Sequence, residues 1–151
     1  MKKILISSCL LGANVKYSGG NNFSQNLIDL LSKYEIQLIP ICPEVSGGLS
    51  IPRIPAEISG DDIKNNQGKS VMKEFSCGAE KALKLAQENK VALAILKERS
   101  PSCGSNYIYD GTFSGTLIRG VGLTAKILRK NNISVFSEEN LLEIERVLKA
   151  D

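Results

Sequence analysis

Along the chain, short runs of apolar residues alternate with longer stretches in which apolar residues recur every three or four positions. Lys3 to Ser8 is a brief apolar run and reads as a first strand. Phe23 to Lys33 carries Leu27, Leu30 and Leu31 on one stripe behind Ser24, a good N-cap, and reads as a helix. Ile36 to Ile41 is a second buried strand, stopped by Pro43, which cannot continue a central ladder. Val71 to Asn89 places Phe75, Ala79, Ala82, Leu83 and Ala86 on one helical face. Val91 to Leu96 is a third buried strand. Gly122 to Lys130 is a helix, Ile133 to Phe136 a fourth strand, and Glu138 to Lys149 a closing helix with Ser137 as its N-cap.

Two stretches break the rhythm. Pro43 to Lys69 holds Pro52, Pro55, Gly47-Gly48, Asp61-Asp62 and Asn65-Asn66, and reads as a long loop. Arg99 to Gly120 is a second long loop, with a small hairpin expected around Tyr107 to Ser114. Loops of this length in a compact domain are usually functional or disordered. Strands that alternate with helices predict an α/β fold: one Rossmann-like domain over residues 1–151. Its three layers enclose a mainly parallel sheet of about four strands, with right-handed crossovers. No G-x-G-x-x-G follows the first strand, so a dinucleotide site is not expected.

Composition narrows the chemistry. The net charge of +3 is too mild to argue for nucleic acid, and no basic recognition helix is visible, so DNA is not an expected partner. The apolar stretch after Lys2-Lys3 breaks at Ser7 and Ser8, too soon for a signal sequence, and no run approaches a membrane span. A cytoplasmic location is expected, where the four cysteines are thiols or ligands rather than disulfides. There is no histidine. That excludes a Ser-His-Asp or Cys-His nucleophile and any imidazole zinc site.

The cysteines then carry the argument. Cys9 follows the first strand directly, Cys42 follows the second, and Cys103 lies a few residues past the third. In a parallel sheet these ends share the carboxyl edge, outside which ligand sites form. Cys77 sits inside a helix between Ser76 and Gly78 and reads as a small buried hydrophobe. Three thiolates suit zinc with an open position, or three irons of a four-iron cluster with the fourth open. The spacing matches neither a zinc ribbon nor a ferredoxin run, so it does not choose between them.

Several motifs occur in order: Ser8-Cys9-Leu10-Leu11-Gly12, Cys42-Pro43-Glu44 with Gly47-Gly48-Leu49 and Pro52-Arg53, Ser100-Pro101-Ser102-Cys103-Gly104, and Tyr109-Asp110-Gly111-Thr112-Phe113. Together they resemble the thiouracil desulfurase family over nearly the whole chain. The resemblance implies a 4Fe-4S cluster held by Cys9, Cys42 and Cys103. It implies an enzyme that removes sulfur from a thiolated pyrimidine base or nucleotide, such as 2-thiouracil or 4-thiouridine monophosphate, by hydrolysis with release of sulfide. It also implies catalytic roles for Glu44 and Ser100. Lys16-Tyr17-Ser18 departs from the Arg-Tyr-Asp of many relatives. Lys16, Gly19, Gly20 and Arg53 are candidate substrate contacts; Arg53 pairs with Glu57 or reaches substrate. Two other functions compete: a zinc hydrolase using the same thiolates with Glu44 as base, and a non-enzymatic iron–sulfur sensor or binding module.

Overall fold

A computed structural model describes residues 1–150. The strands are β1 (Lys2–Ser7), β2 (Ile36–Ile41), β3 (Ala56–Ser59), β4 (Asp62–Asn65), β5 (Leu93–Leu96), β6 (Tyr107–Tyr109), β7 (Leu117–Arg119) and β8 (Val135–Ser137). The helices are α1 (Gln25–Leu31), α2 (Pro43–Ser46), α3 (Met72–Asn89), α4 (Leu123–Lys130) and α5 (Leu141–Lys149). A 3-10 turn at Ser8–Leu11 follows β1.

The central sheet has the order β2-β1-β5-β8, and every pairing in it is parallel. Both faces are covered. Ile4, Ile6, Leu93 and Ile95 pack with Leu27 and Leu30 of α1 and Ile144 and Leu148 of α5. Leu5, Ala94 and Leu96 point the other way, against Ala82 and Ala86 of α3 and Ala125 and Leu128 of α4. The two-residue strand period therefore sends alternate apolar residues into separate cores. This is the physical reason the strands read as unbroken apolar runs.

β2 differs from the buried strand expected of it. It lies at the sheet edge, with Pro40 exposed and in register with Ile6. A proline is tolerated there because only one side of the strand must donate to a ladder.

The first long loop is more structured than its composition suggests. Pro43 opens α2, where a missing N–H at the first helical position costs nothing. Ala56–Asn65 forms the β3–β4 hairpin, whose Ile63 packs against Val71 and Phe75. In the second long loop the hairpin exists but is wider than expected, pairing Tyr107–Tyr109 with Leu117–Arg119. Ser24 does cap α1, accepting from the Leu27 N–H at 3.4 Å. Ser137 does not cap α5: it ends β8, and Asn140 holds the cap position. Ser137 instead accepts from the Glu139 N–H at 3.1 Å, a local turn that delays the helix.

α2 can rest on α3 only because of two glycines. A Cβ on Gly78 would lie 1.8 Å from the Pro43 carbonyl oxygen, and one on Gly47 would lie 1.9 Å from that of Glu74. This contact fixes the short helix that carries Glu44.

Candidate active site

The strand order puts the site where an open α/β sheet forms one. From β1 the chain crosses to β2 on one side, and from β2 it crosses back to β5 on the other. The crevice outside the carboxyl ends of β1 and β5 is thus a topological switch point. A cavity of about 610 Å³ opens there, and Cys9, Cys42 and Cys103 all line it. Cys9 stands in the 3-10 turn after β1, Cys42 caps α2 after β2, and Cys103 is in the loop after β5. Cys77 does not line the cavity; it is half-buried on α3 rather than buried as expected.

All four cysteines are free thiols. Burial pushes the Cys9 thiol up, against a hydrogen bond from Asn22 that lowers it. Burial also raises Cys42, against the Val45 N–H at the start of α2. Cys103 is raised most, first by burial and then by the neighbouring Glu44 carboxylate, with Cys42 and Cys9 adding to the effect. That mutual influence places the three thiols within electrostatic reach of one another. Among the described residues, however, no three Cys, Asp or Glu side chains converge closely enough to hold one metal ion. A tetrahedral zinc needs sulfurs about 2.3 Å from a common centre. Three thiols lining one roomy cavity are a donor set that would suit a polynuclear iron–sulfur group.

Beside the thiols stands a carboxylate held on both oxygens. Arg53 Nε donates to Glu44 Oε1 at 3.1 Å, and Ser100 Oγ donates to Glu44 Oε2 at 3.4 Å. Ser100 Oγ in turn accepts the N–H groups of Ser102 and Cys103, each at 3.1 Å. Glu44, Ser100 and Cys103 are therefore one connected network. Of the two roles expected for Arg53, pairing with Glu57 is not found. Glu57 accepts from the N–H groups of Gly111 and Phe113, leaving Arg53 to Glu44 and the Ser50 carbonyl. Lys16 lines the cavity, whereas Gly19 and Gly20 stand outside it. Gly19 spends its N–H on the Lys16 carbonyl, and Gly20 offers its carbonyl to the Lys16 N–H, closing a turn of their own.

Three cavity residues were not among the candidate site residues. Lys97 bridges Glu138 at 3.0 Å and donates to the Glu98 carbonyl. Glu57 anchors the far hairpin, as described above. Glu98 is 1% exposed, and its carboxylate gathers the N–H groups of Arg99, Ser105, Asn106 and Tyr107. The Ser105 hydroxyl and Asn106 amide complete the set. Burial alone would raise its pKa, but these donors win and hold it at about 2. Glu98 thereby shapes the loop that presents Cys103. A charged pair placed directly after a buried strand, at the carboxyl edge, was the signal that could have marked Lys97 and Glu98.

Comparison with known proteins places the chain in a family. Residues 4–140 match the family described as 2-thiouracil desulfurase. The uncharacterized protein YbbK of Bacillus subtilis (strain 168) is 42% identical, over 93% of this chain and 99% of its own. A solved structure of TudS, a 4Fe-4S-dependent thiouracil desulfidase, superposes with a TM-score of 0.89 at 43% identity, covering 98% of each chain. The chain belongs to the 2-thiouracil desulfurase family.

Proposed function

We propose that this chain is a 4Fe-4S-dependent desulfurase that removes sulfur from thiolated pyrimidines, such as 2-thiouracil or 4-thiouridine monophosphate. The observation that carries the reading is the convergence of three strand-end thiols on one cavity that also holds the Glu44–Ser100 network. The likeness to TudS supports it. The reaction exchanges C=S for C=O. Water supplies the oxygen and its two protons, and sulfur leaves as sulfide, so no oxidant or reductant is consumed. Cys9, Cys42 and Cys103 would hold the cluster, which supplies a Lewis-acidic iron with affinity for a soft thiocarbonyl sulfur.

The chain's own residues handle the water and the proton. Glu44 is the base, because the protein has no histidine and Glu44 is the cavity carboxylate nearest the thiols in sequence. Arg53 holds one of its oxygens and leaves the other on the Ser100 side, where a water is deprotonated. Ser100 is oriented by the two N–H groups it accepts, so its hydroxyl proton points to Glu44 and aligns the base. Lys16 offers positive charge for a nucleotide phosphate at the cavity wall, with Gly19 and Gly20 shaping the turn behind it. A single catalytic domain over residues 1–151, working in the cytoplasm where thiols stay reduced, completes the reading. No helix among the described residues is long and apolar enough to cross a membrane.

The test is anaerobic purification with iron, sulfide and zinc analysis, followed by sulfide release from 2-thiouracil and 4-thiouridine monophosphate. Serine at Cys9, Cys42 or Cys103 should abolish the brown chromophore, and Cys77→Ser should keep it. Glu44→Gln should keep the chromophore and lose sulfide release. A colourless zinc protein, or full turnover by the Glu44 variant, refutes the proposal.

A further inference from the structure

The Tyr109–Phe113 motif is not used by the chemistry above, yet it reaches the same cavity. Tyr109 and Phe113 both line it. Phe113 is held there in an unusual way. Its φ is +59°, in the left-handed region that a bulky side chain rarely adopts. Such a conformation persists only where its surroundings enforce it.

The enforcing contacts come from two sides. Glu57, on β3 and only 9% exposed, accepts from the Gly111 N–H at 3.0 Å and the Phe113 N–H at 3.2 Å. Gly111 also presses on the neighbouring hairpin, where a Cβ would lie 2.7 Å from the Ile58 carbonyl oxygen. Within the loop, Thr112 Oγ1 donates to Asp110 at 2.6 Å, and the hydroxyls of Thr112, Ser114 and Thr116 form a chain. So a buried carboxylate and a set of polar contacts hold a large aromatic at the cavity, where it remains 38% exposed. Apolar exposure of that kind has a use if a flat, polarisable ring covers it.

We propose that Phe113 is the aromatic platform on which the pyrimidine ring of the substrate lies, and that Glu57 is the positioning residue that sets it there. The inference rests on the reading of the cavity as a thiolated-pyrimidine site. Stacking on an aromatic face tolerates different bases, so this platform provides affinity for the ring, while Glu44 and Ser100 provide the chemistry.

Steady-state kinetics with the cluster-loaded enzyme and 2-thiouracil test both parts. Phe113→Ala should raise KM about ten-fold with little change in kcat, as expected for lost stacking. Phe113→Tyr should restore KM. Glu57→Gln should raise KM by about three- to ten-fold in the parent enzyme, and by much less in the Phe113→Ala background, because it acts through that ring. Leu117, equally exposed on the same hairpin but outside the cavity lining, is the control; Leu117→Ala should leave both constants unchanged. Unchanged KM in Phe113→Ala, in an enzyme that desulfurises normally, overturns the platform alone. A loss of kcat at constant KM also overturns it. Additive effects of the Glu57 and Phe113 changes overturn the positioning role. Failure of the parent enzyme to act on any thiolated pyrimidine overturns this inference together with the function beneath it.

Discussion

Glu98→Gln changes one oxygen to an amide nitrogen at the most heavily bonded side chain in the site. Four backbone N–H groups converge on Oε1, and two side-chain donors converge on Oε2. Glutamine can keep its oxygen where Oε1 was, but it loses the charge, and its NH2 then faces the Asn106 donor. The depression of the Glu98 pKa from 4.5 to about 2 sets the scale of what the charge contributes. At about 1.4 kcal/mol per unit, and discounted for solvent screening at the cavity wall, that is about 2–3 kcal/mol.

The sign of the pH effect follows. A group with a depressed folded-state pKa stabilises the fold above its unfolded pKa and stops doing so as pH falls through the folded one. The contribution of Glu98 is therefore complete above about pH 5 and fades from pH 4.5 toward pH 2. Urea unfolding of parent and variant, followed by far-UV circular dichroism at pH 6 and pH 4, is the assay. The variant should be less stable by about 2–3 kcal/mol at pH 6, and the gap should narrow by about 0.5–1 kcal/mol at pH 4. A variant as stable as the parent, or a gap of constant size at both pH values, would falsify the assignment of the charge to this loop.

Two other changes probe how Glu44 is held. Gly78→Ala adds a methyl against the Pro43 carbonyl, so despite alanine's better helix propensity it should cost about 1–3 kcal/mol. Thermal melts should show a Tm lower by roughly 3–10 °C, and turnover should fall as α2 is displaced; a higher Tm would mean the α2–α3 contact yields freely. Arg53→Lys keeps a charge but cannot serve Glu44 and the Ser50 carbonyl at once, so kcat should drop about ten-fold with folding stability within about 1 kcal/mol of the parent. A kcat equal to that of the parent enzyme would show that Glu44 does not depend on a shaped donor.

The convergence of Cys9, Cys42 and Cys103 was legible because strand ends are easy to read and a parallel sheet puts them on one edge. What stayed hidden depends on partners distant along the chain. Glu98 is an ordinary acid until the loop after it curls back and offers four N–H groups. Arg53 and Glu44 meet only because α2 is pinned to α3 by Gly47 and Gly78, and a glycine inside the Val71–Asn89 pattern was the one available hint. Asp110-Gly111 reads as a tight turn, and it is one; nothing local shows that Glu57 sets its outcome. β2 could have been placed at the edge from Pro40 alone.

The charges around the thiols bear on the proposed ligation. A nucleophilic or redox-active thiol requires a lowered pKa, supplied by unpaired positive charge. Here the two cations that favour the thiolates are each already committed: Lys97, near Cys9, to Glu138, and Arg53, near Cys42, to Glu44. Burial raises all three thiols, and Glu44 raises Cys42 and Cys103 further. Such a pocket would be a poor one for a free thiolate. It would suit the proposed ligands, thiols that give up their protons to a cationic metal centre, because such a centre brings its own charge. Under the proposed ligation, the carboxylate that would hinder a cysteine nucleophile would be a compatible neighbour for a metal centre, as the proposed role of Glu44 requires.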